Sequence, residues 1–120
     1  MSYKSFEDLE VWQKSARLSS EIYKELRHLR DYGFKDQITR SGLSIPSNIA
    51  EGFERKSKKE FLNFLHYSKG SCGELRTQIY IGLDIKYIEK ETAKKWLIEA
   101  TSISKMLGSL IKKQQSLLSP

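Results

Sequence analysis

Apolar side chains recur every three or four residues along most of the chain, and the only prolines are Pro46 and Pro120. This spacing puts the apolar residues on one face of an α-helix, because a helix turns once in about 3.6 residues. Proline breaks helices, so a chain with a single internal proline can hold long ones. The pattern predicts an all-α fold. The length of 120 residues matches one domain, 1–120, and excludes barrel and dinucleotide-binding architectures.

The composition indicates a folded protein of a reducing compartment. With 38% hydrophobic and 30% charged residues, the chain is too apolar to be disordered. Its one cysteine, Cys72, cannot form an internal disulfide. The sequence opens without an apolar leader, and it has no apolar run long enough to cross a membrane. We therefore expect a cytoplasmic protein.

Four helices are predicted, at about 6–29, 34–54, 57–87 and 90–117. Ser57 and Glu60 form an S-x-x-E capping box for the third helix, and Ser5 with Asp8 resembles one for the first. Connections of two to five residues make neighbouring helices antiparallel, which predicts an up-down-up-down four-helix bundle. Small residues in the third helix would let another helix approach closely; they are Ser68, Gly70, Ser71 and Gly73.

Pro46 falls inside the second predicted helix. It removes the hydrogen bond to the Gly42 carbonyl, and its ring crowds that turn. We expect either a kink between Gly42 and Pro46 or two abutting helices, with Ser44 or Asn48 helping to satisfy the freed backbone. The bundle is compatible with both arrangements.

The first and last helices each carry two apolar seams, which together cover an arc of about 180° where an ordinary surface helix has about 100°. In the first helix the seams are Leu9, Trp12, Ala16, Tyr23 and Leu26, and Val11, Leu18, Ile22 and Leu29. In the last they are Ala93, Leu97, Ala100, Ser104, Leu107, Ile111, Gln114 and Leu118, and Trp96, Ile103, Leu110 and Leu117. The excess predicts an oligomer, because the second seam of the first helix would otherwise form an exposed interaction patch.

A polar stripe runs beside the apolar face of the second helix. Its members recur at helical spacing; they are Gln37, Arg40, Ser44, Asn48, Glu51 and Arg55. Amides, a hydroxyl, an acid and arginines suit a hydrogen-bonded network that shapes the bundle or a subunit contact, since buried polar groups need partners. The alternative is an ordinary solvated face.

Basic residues are concentrated at two places in a chain whose net charge is +6 and whose isoelectric point is about 9.4. Arg55, Lys56, Lys58 and Lys59 lie at the junction of the second and third helices, where the backbone amides of a helix N-terminus add positive potential. Beyond Glu99 all charged residues of the last helix are cations, and they include Lys112 and Lys113. Antiparallel packing brings these ends together and predicts a phosphate-binding patch. A charged surface turn and a complemented helix dipole are the alternatives.

The motifs of metal and nucleophile chemistry are missing from the sequence. His28, His66 and Cys72 are the only imidazole or thiol ligands, and neither C-x-x-C nor H-E-x-x-H occurs. G-x-S-x-G and phosphate-binding glycine loops are also missing. The sequence therefore predicts no metal, no cofactor and no catalytic residue.

Several motifs together resemble a known family. The sequence Q-I-x-R-x-x-x-S-I-P-x-N-I-A-E-G at 37–52 is followed by S-x-x-E-F at 57–61, G-S at 70–71 and E-L at 74–75. With F-E-D-L-x-V-W at 6–12 and K-M-L at 105–107, these residues resemble the proteins encoded within intervening sequences of bacterial 23S ribosomal RNA genes. The resemblance implies an antiparallel four-helix bundle that forms a homopentamer and has no established enzymatic activity. That family is similar to the accessory protein of diversity-generating retroelements, a pentamer that binds nucleic acid and a reverse transcriptase.

The sequence thus leads us to expect a non-enzymatic ring of helical bundles that binds RNA or DNA through repeated basic patches. One alternative is an adaptor that docks a polymerase or another protein without touching nucleic acid. Another is an enzyme that uses carboxylates as acid or base, but the Glu-x-x-His pairs of di-iron bundles are missing. The candidate carboxylates are Glu51, Glu60 and Glu74.

Overall fold

The computed structural model describes residues 3–118, which form a bundle of 50 × 21 × 19 Å. A short 3₁₀ turn, Phe6–Asp8, precedes four helices: α1 (Glu10–Leu26), α2 (Tyr32–Glu54), α3 (Lys58–Asp84) and α4 (Lys90–Leu118). The connections are residues 27–31, 55–57 and 85–89, so they reverse the chain at each step. Each helix packs against its two neighbours around the bundle. The predicted all-α four-helix bundle is confirmed.

The first helix begins later than the sequence pattern indicated. The Asp8 carboxylate accepts hydrogen bonds from the backbone N–H groups of Lys4 at 3.2 Å and Ser5 at 3.3 Å, so a cap is present, but it closes only the 3₁₀ turn. Leu9 then adopts an extended conformation and is buried. That single extended residue separates the turn from α1. The helix also ends at Leu26, three residues before the predicted position.

The second helix is continuous through Pro46, so the alternative of two abutting helices is wrong. Asp31 caps it by accepting the Phe34 N–H at 3.1 Å, which starts the helix two residues earlier than predicted. Near the proline, the Asn48 side-chain amide donates to the Ser44 carbonyl at 2.9 Å. The Ser68 hydroxyl of α3 donates to the Ile45 carbonyl at 2.9 Å. Side chains thus donate to two backbone carbonyls close to the proline, those of Ser44 and Ile45. Neither is the Gly42 carbonyl, whose helical partner would have been the N–H that Pro46 lacks.

The third helix ends in a tight reversal. It stops at Asp84 rather than near Tyr87, because Lys86 takes a left-handed conformation with φ 65° and the N–H groups of Tyr87 and Ile88 donate back to the Gly82 carbonyl at 2.8 and 3.1 Å. An added Cβ at Gly82 would lie 2.5 Å from Ile88 Cδ1 and 2.9 Å from Ile88 Cγ1, so glycine lets the Ile88 side chain pack closely there. The turn delivers the chain directly into α4.

The core contains one apolar row from each helix. The largest fully buried side chain of the described residues is Trp96, and the same core includes Leu18, Ile45 and Leu75. The Cys72 thiol lies in the same core, where burial raises its pKa to about 12.

The seam of α1 that was expected to be exposed is instead part of this core. Val11, Leu18 and Ile22 are buried within the single bundle. The partly uncovered seam is the other one, in which Trp12 is half-buried and Tyr23 is 46% exposed. The prediction chose the wrong seam because both have helical spacing, and only the position of the neighbouring helices decides which turns inward.

The small residues of α3 divide between two environments. Ser68 and Ser71 are buried against α2, as predicted. Gly70 and Gly73 face open space, where an added Cβ would meet nothing within 4 Å. Their expected role in a close helix contact within the chain is therefore wrong.

None of the helices described in residues 3–118 combines the length and the hydropathy that a membrane span requires.

Candidate nucleic-acid interface

The junction between α2 and α3 is a three-residue link closed by its own cap. Arg55 ends α2 in an extended conformation, with φ −72° and ψ 151°. Ser57 caps α3, because its Oγ accepts the Glu60 N–H at 3.0 Å. The Glu60 carboxylate adds negative charge in the first turn, where it complements the helix dipole. The predicted cap at Ser57 is confirmed, but the Glu60 carboxylate accepts the Ser57 hydroxyl at 3.3 Å, and within residues 3–118 the reciprocal bond from the Ser57 backbone N–H that completes a capping box is missing. The lysine side chains are the candidate anion-binding groups of the junction.

Arg55 is held by its neighbours. Its guanidinium forms ion pairs with Glu51 at 3.0 Å and Glu60 at 3.5 Å, and it lies 5.0 Å from the centre of the Phe64 ring. The two carboxylates offset its charge, although the side chain remains 44% exposed. The sequence analysis assigned Arg55 to phosphate contact, which stays a prediction; in the structure its guanidinium also links α2 to α3.

The lysines of the junction are available to a ligand. Lys56, Lys58 and Lys59 are exposed, and within residues 3–118 no ion pair engages them. The same holds in the described part of α4 for Lys112 and Lys113. These five cations therefore present uncompensated positive charge.

The level of α3 against α4 follows from one contact. Lys69 Nζ lies 3.4 Å from Ser104 Oγ. Counting back from this contact along antiparallel helices, Lys58 and Lys59 lie level with residues 114–115 of α4, close to Lys113. The helix order thus brings the junction and the end of α4 to the same end of the bundle.

Lys69 extends the basic surface along α3, and the sequence analysis missed it. Lys58 and Lys69 are eleven residues apart, about three helical turns, so they share a face of α3. Lys105 is exposed on α4 near the same level. The eleven-residue spacing was the signal that could have found Lys69.

The polar stripe of α2 separates into two ion pairs, the single residue Gln37 and a network with α3. Arg40 pairs with Asp36 at 2.8 Å on an exposed turn, and the hydrogen bond and charge of Asp36 raise the pKa of Arg40. Glu51 pairs with Arg55. Gln37 is exposed and joins neither pair. Most of the stripe is therefore a solvated face, the alternative that the sequence analysis left open.

The middle of the stripe is a network between two helices. Asn48 Nδ2 donates to the Ser44 hydroxyl oxygen at 2.9 Å, and the Ser71 hydroxyl of α3 lies 3.0 Å from the same oxygen. The buried Ser68 adds its bond to the Ile45 carbonyl. Ser44 and Asn48 therefore belong to the predicted network, and the contact that it shapes lies within one bundle.

Two of the three candidate carboxylates meet at one arginine. Glu51 and Glu60 both pair with Arg55, and Glu74 lies exposed on α3. Across residues 3–118, no group of three or more His, Cys, Asp and Glu side chains has an arrangement that could hold a metal ion.

Comparisons with known proteins place the chain in a family. No curated protein matches it. Among solved structures, it is similar to a protein of unknown function from the S23 ribosomal protein family of Bacteroides thetaiotaomicron VPI-5482, with a TM-score of 0.80 and 30% identity over 85% of this chain and 98% of that chain. The sequence model of the family described as 23S rRNA-intervening sequence protein matches residues 7–109. The chain therefore belongs to the 23S rRNA-intervening sequence protein family.

Proposed function

We propose that this chain is a non-enzymatic, cytoplasmic accessory protein that binds RNA or DNA as a homopentameric ring. The observation that carries the proposal is the group of exposed lysines at one end of the bundle that form no ion pair within residues 3–118. Phosphate contacts of this kind are individually weak and salt-sensitive. A ring repeats them on one rigid body, so several weak contacts act together.

Two uncovered apolar surfaces support the ring. A groove of about 400 Å³ between α1 and α2 includes Trp12, Ala16 and Leu43 in its lining. On α4, Ile98 is 63% exposed beside Leu97. The two surfaces lie on different helices, so a contact between the groove of one subunit and the Ile98 surface of the next joins unlike faces. Such contacts close into a ring when the rotation from one subunit to the next is a whole fraction of a turn.

A reverse transcriptase is the protein partner that this proposal adds. It comes from the resemblance to the accessory protein of diversity-generating retroelements. In that setting the ring would hold nucleic acid next to the polymerase.

Salt-dependent binding tests the nucleic-acid part of the proposal. Labelled RNA and duplex DNA are titrated with the wild type and the Lys58→Ala/Lys59→Ala variant at two salt concentrations. We expect the variant to weaken binding to all sequences alike and to reduce the salt slope by up to about two per engaged protomer. The matched control is Lys90→Ala/Lys94→Ala, which removes the same charge at the opposite end of the bundle. Equal effects of the two variants would contradict the assigned surface.

Light scattering tests the ring. We expect a mass near five times the 14.0 kDa of one chain, and a smaller mass for Ile98→Glu. A wild type that is monomeric at micromolar concentration would contradict the ring.

An adaptor that binds protein alone is the second candidate. Ile81 and Ile85, which are 47% and 45% exposed at the end of α3, lie outside the two surfaces assigned to the ring and favour it, since exposed apolar side chains suit a protein partner. No binding of nucleic acid at low salt, together with an intact oligomer, would select this function.

A further inference from the structure

A second groove lies at the end of the bundle opposite the lysines, between the end of α1 and the start of α2. Its volume is about 720 Å³. Two exposed tyrosines line it: Tyr23 from α1, 46% exposed, and Tyr32 from α2, 69% exposed. Arg27 and Lys35 line it as well. We propose that this groove binds unpaired nucleotides, with bases stacked on Tyr23 and Tyr32 and phosphates held by Arg27 and Lys35.

The contacts of Lys35 hold one side of the groove in place. Lys35 Nζ donates to the Arg27 carbonyl at 3.3 Å and lies 5.0 Å from the centre of the Tyr32 ring. The ammonium thus lies over one face of the Tyr32 ring, and a base would stack on the other face of this 69% exposed residue. Grooves that bind single strands combine aromatic rings, on which bases stack, with cations that follow the backbone.

The nearby acids are already engaged, so the groove keeps its positive charge. Asp36, which also lines the groove, is paired at 2.8 Å with Arg40 on the next turn of α2, so its charge is offset there. Asp31 accepts the Phe34 N–H at 3.1 Å and the Tyr87 hydroxyl at 2.8 Å, which directs it to the cap and to the α3–α4 connection. Within residues 3–118 no carboxylate pairs with Arg27 or Lys35.

The size of the groove suits a short run of nucleotides. Tyr32 and Thr39, which both line it, are seven residues apart along α2, or about 10 Å of helix. Stacked bases in one strand are spaced by about 3.4 Å, so about three fit along this length. A duplex hides its base faces, whereas unpaired bases can stack on aromatic side chains. The groove therefore distinguishes single strands from duplexes, which the lysines at the other end do not.

The inference rests on the proposed nucleic-acid binding, and one titration separates the two. A labelled single-stranded RNA, a single-stranded DNA of the same length and a duplex are titrated at low salt with four proteins. These are the wild type, Tyr23→Ala/Tyr32→Ala, Tyr23→Phe/Tyr32→Phe and the control Tyr80→Ala. Tyr80 is similarly exposed, but it lies on α3, outside the groove. Circular dichroism establishes that each variant keeps its helices.

We expect the double alanine variant to bind single strands more weakly by about five-fold or more per lost ring, and to bind the duplex as the wild type does. The phenylalanine variant, which keeps the rings, and the Tyr80 control should match the wild type. Equal weakening of RNA and DNA assigns the site to unpaired bases of either kind, and a larger effect on RNA assigns it to RNA. If the double alanine variant binds single strands as the wild type does, the groove is not the site, although the proposed function stands. If the wild type binds none of the three at low salt, both proposals fail.

Discussion

Replacing Gly52 by alanine tests whether α2 and α3 pack as closely as the structure shows. A Cβ at this position would lie 2.6 Å from Phe64 Cβ and 3.1 Å from Phe61 Cδ1. Phe64 cannot turn away, because the contact is at its own Cβ, which the backbone fixes. The two helices must therefore separate by roughly 1 Å to restore an ordinary contact.

Two opposing effects determine the free energy of this change. Overpacking a tight contact costs about 1–3 kcal/mol and occasionally more. Alanine in place of glycine inside a helix returns about 1 kcal/mol. Because the contact involves backbone-fixed atoms, we expect the upper part of the overpacking range and a net loss of about 1–2 kcal/mol in the free energy of unfolding.

Gly73→Ala provides the matched comparison, since Gly73 also lies inside a helix but has nothing within 4 Å of the added Cβ. The same substitution should there stabilise the protein by about 0.4–1 kcal/mol. Urea unfolding followed by circular dichroism, at one protein concentration, measures both variants. The reasoning is refuted if Gly52→Ala is as stable as the wild type, or if the two variants change stability in the same direction.

Three further predictions concern ionisable groups. The Phe34 N–H and then the Tyr87 hydroxyl lower the pKa of Asp31, so the stability that the ionised carboxylate contributes is lost as the pH falls below the ordinary value of 3.8. In urea unfolding, the difference in stability between the wild type and Tyr87→Phe should therefore shrink below that pH. Burial and then the charge of Glu21 raise the pKa of Glu99, so Glu99→Gln should stabilise the protein at pH 7, with a gain that disappears on acidification. Burial raises the pKa of Cys72 to about 12, so the folded protein holds little of the thiolate that reacts with iodoacetamide. Mass spectrometry should therefore find the label on the unfolded chain and not on the folded one. Rapid labelling of the folded protein would contradict the burial of Cys72.

Local signals in the sequence predicted the features that depend on a few neighbouring residues. Ser57 caps α3 as expected, because this cap needs only residues three apart. The ion pair between Glu51 and Arg55 also has a local origin, since residues four apart face each other on a helix, although the sequence analysis did not predict it. The stripe was predicted as one network because its members share helical spacing along α2. In the structure Arg40 pairs with Asp36 and Ser44 with Ser71, and neither partner belongs to the stripe.

Features that depend on neighbouring helices could not be predicted in the same way. Leu9 leaves the helical conformation at a position where it is buried, although the residues around it have helical spacing. Tyr23 was assigned to an apolar seam, and Tyr32 fell in the connection between the first two predicted helices. Only the fold of residues 27–31 brings both tyrosines into one groove with Arg27 and Lys35. The exposed Ile98 escaped notice because it belongs to neither predicted seam of α4.

The hydroxyl contacts between α2 and α3 limit how these helices can slide along each other. If α3 moved along α2 by one helical turn, about 5.4 Å, apolar residues would again face apolar residues, because both rows repeat with the turn. Ser71 would then leave Ser44, and the buried Ser68 would lose the Ile45 carbonyl. A buried hydroxyl without a partner costs about 1–3 kcal/mol. The bonds therefore select one register among those that the apolar residues alone would accept.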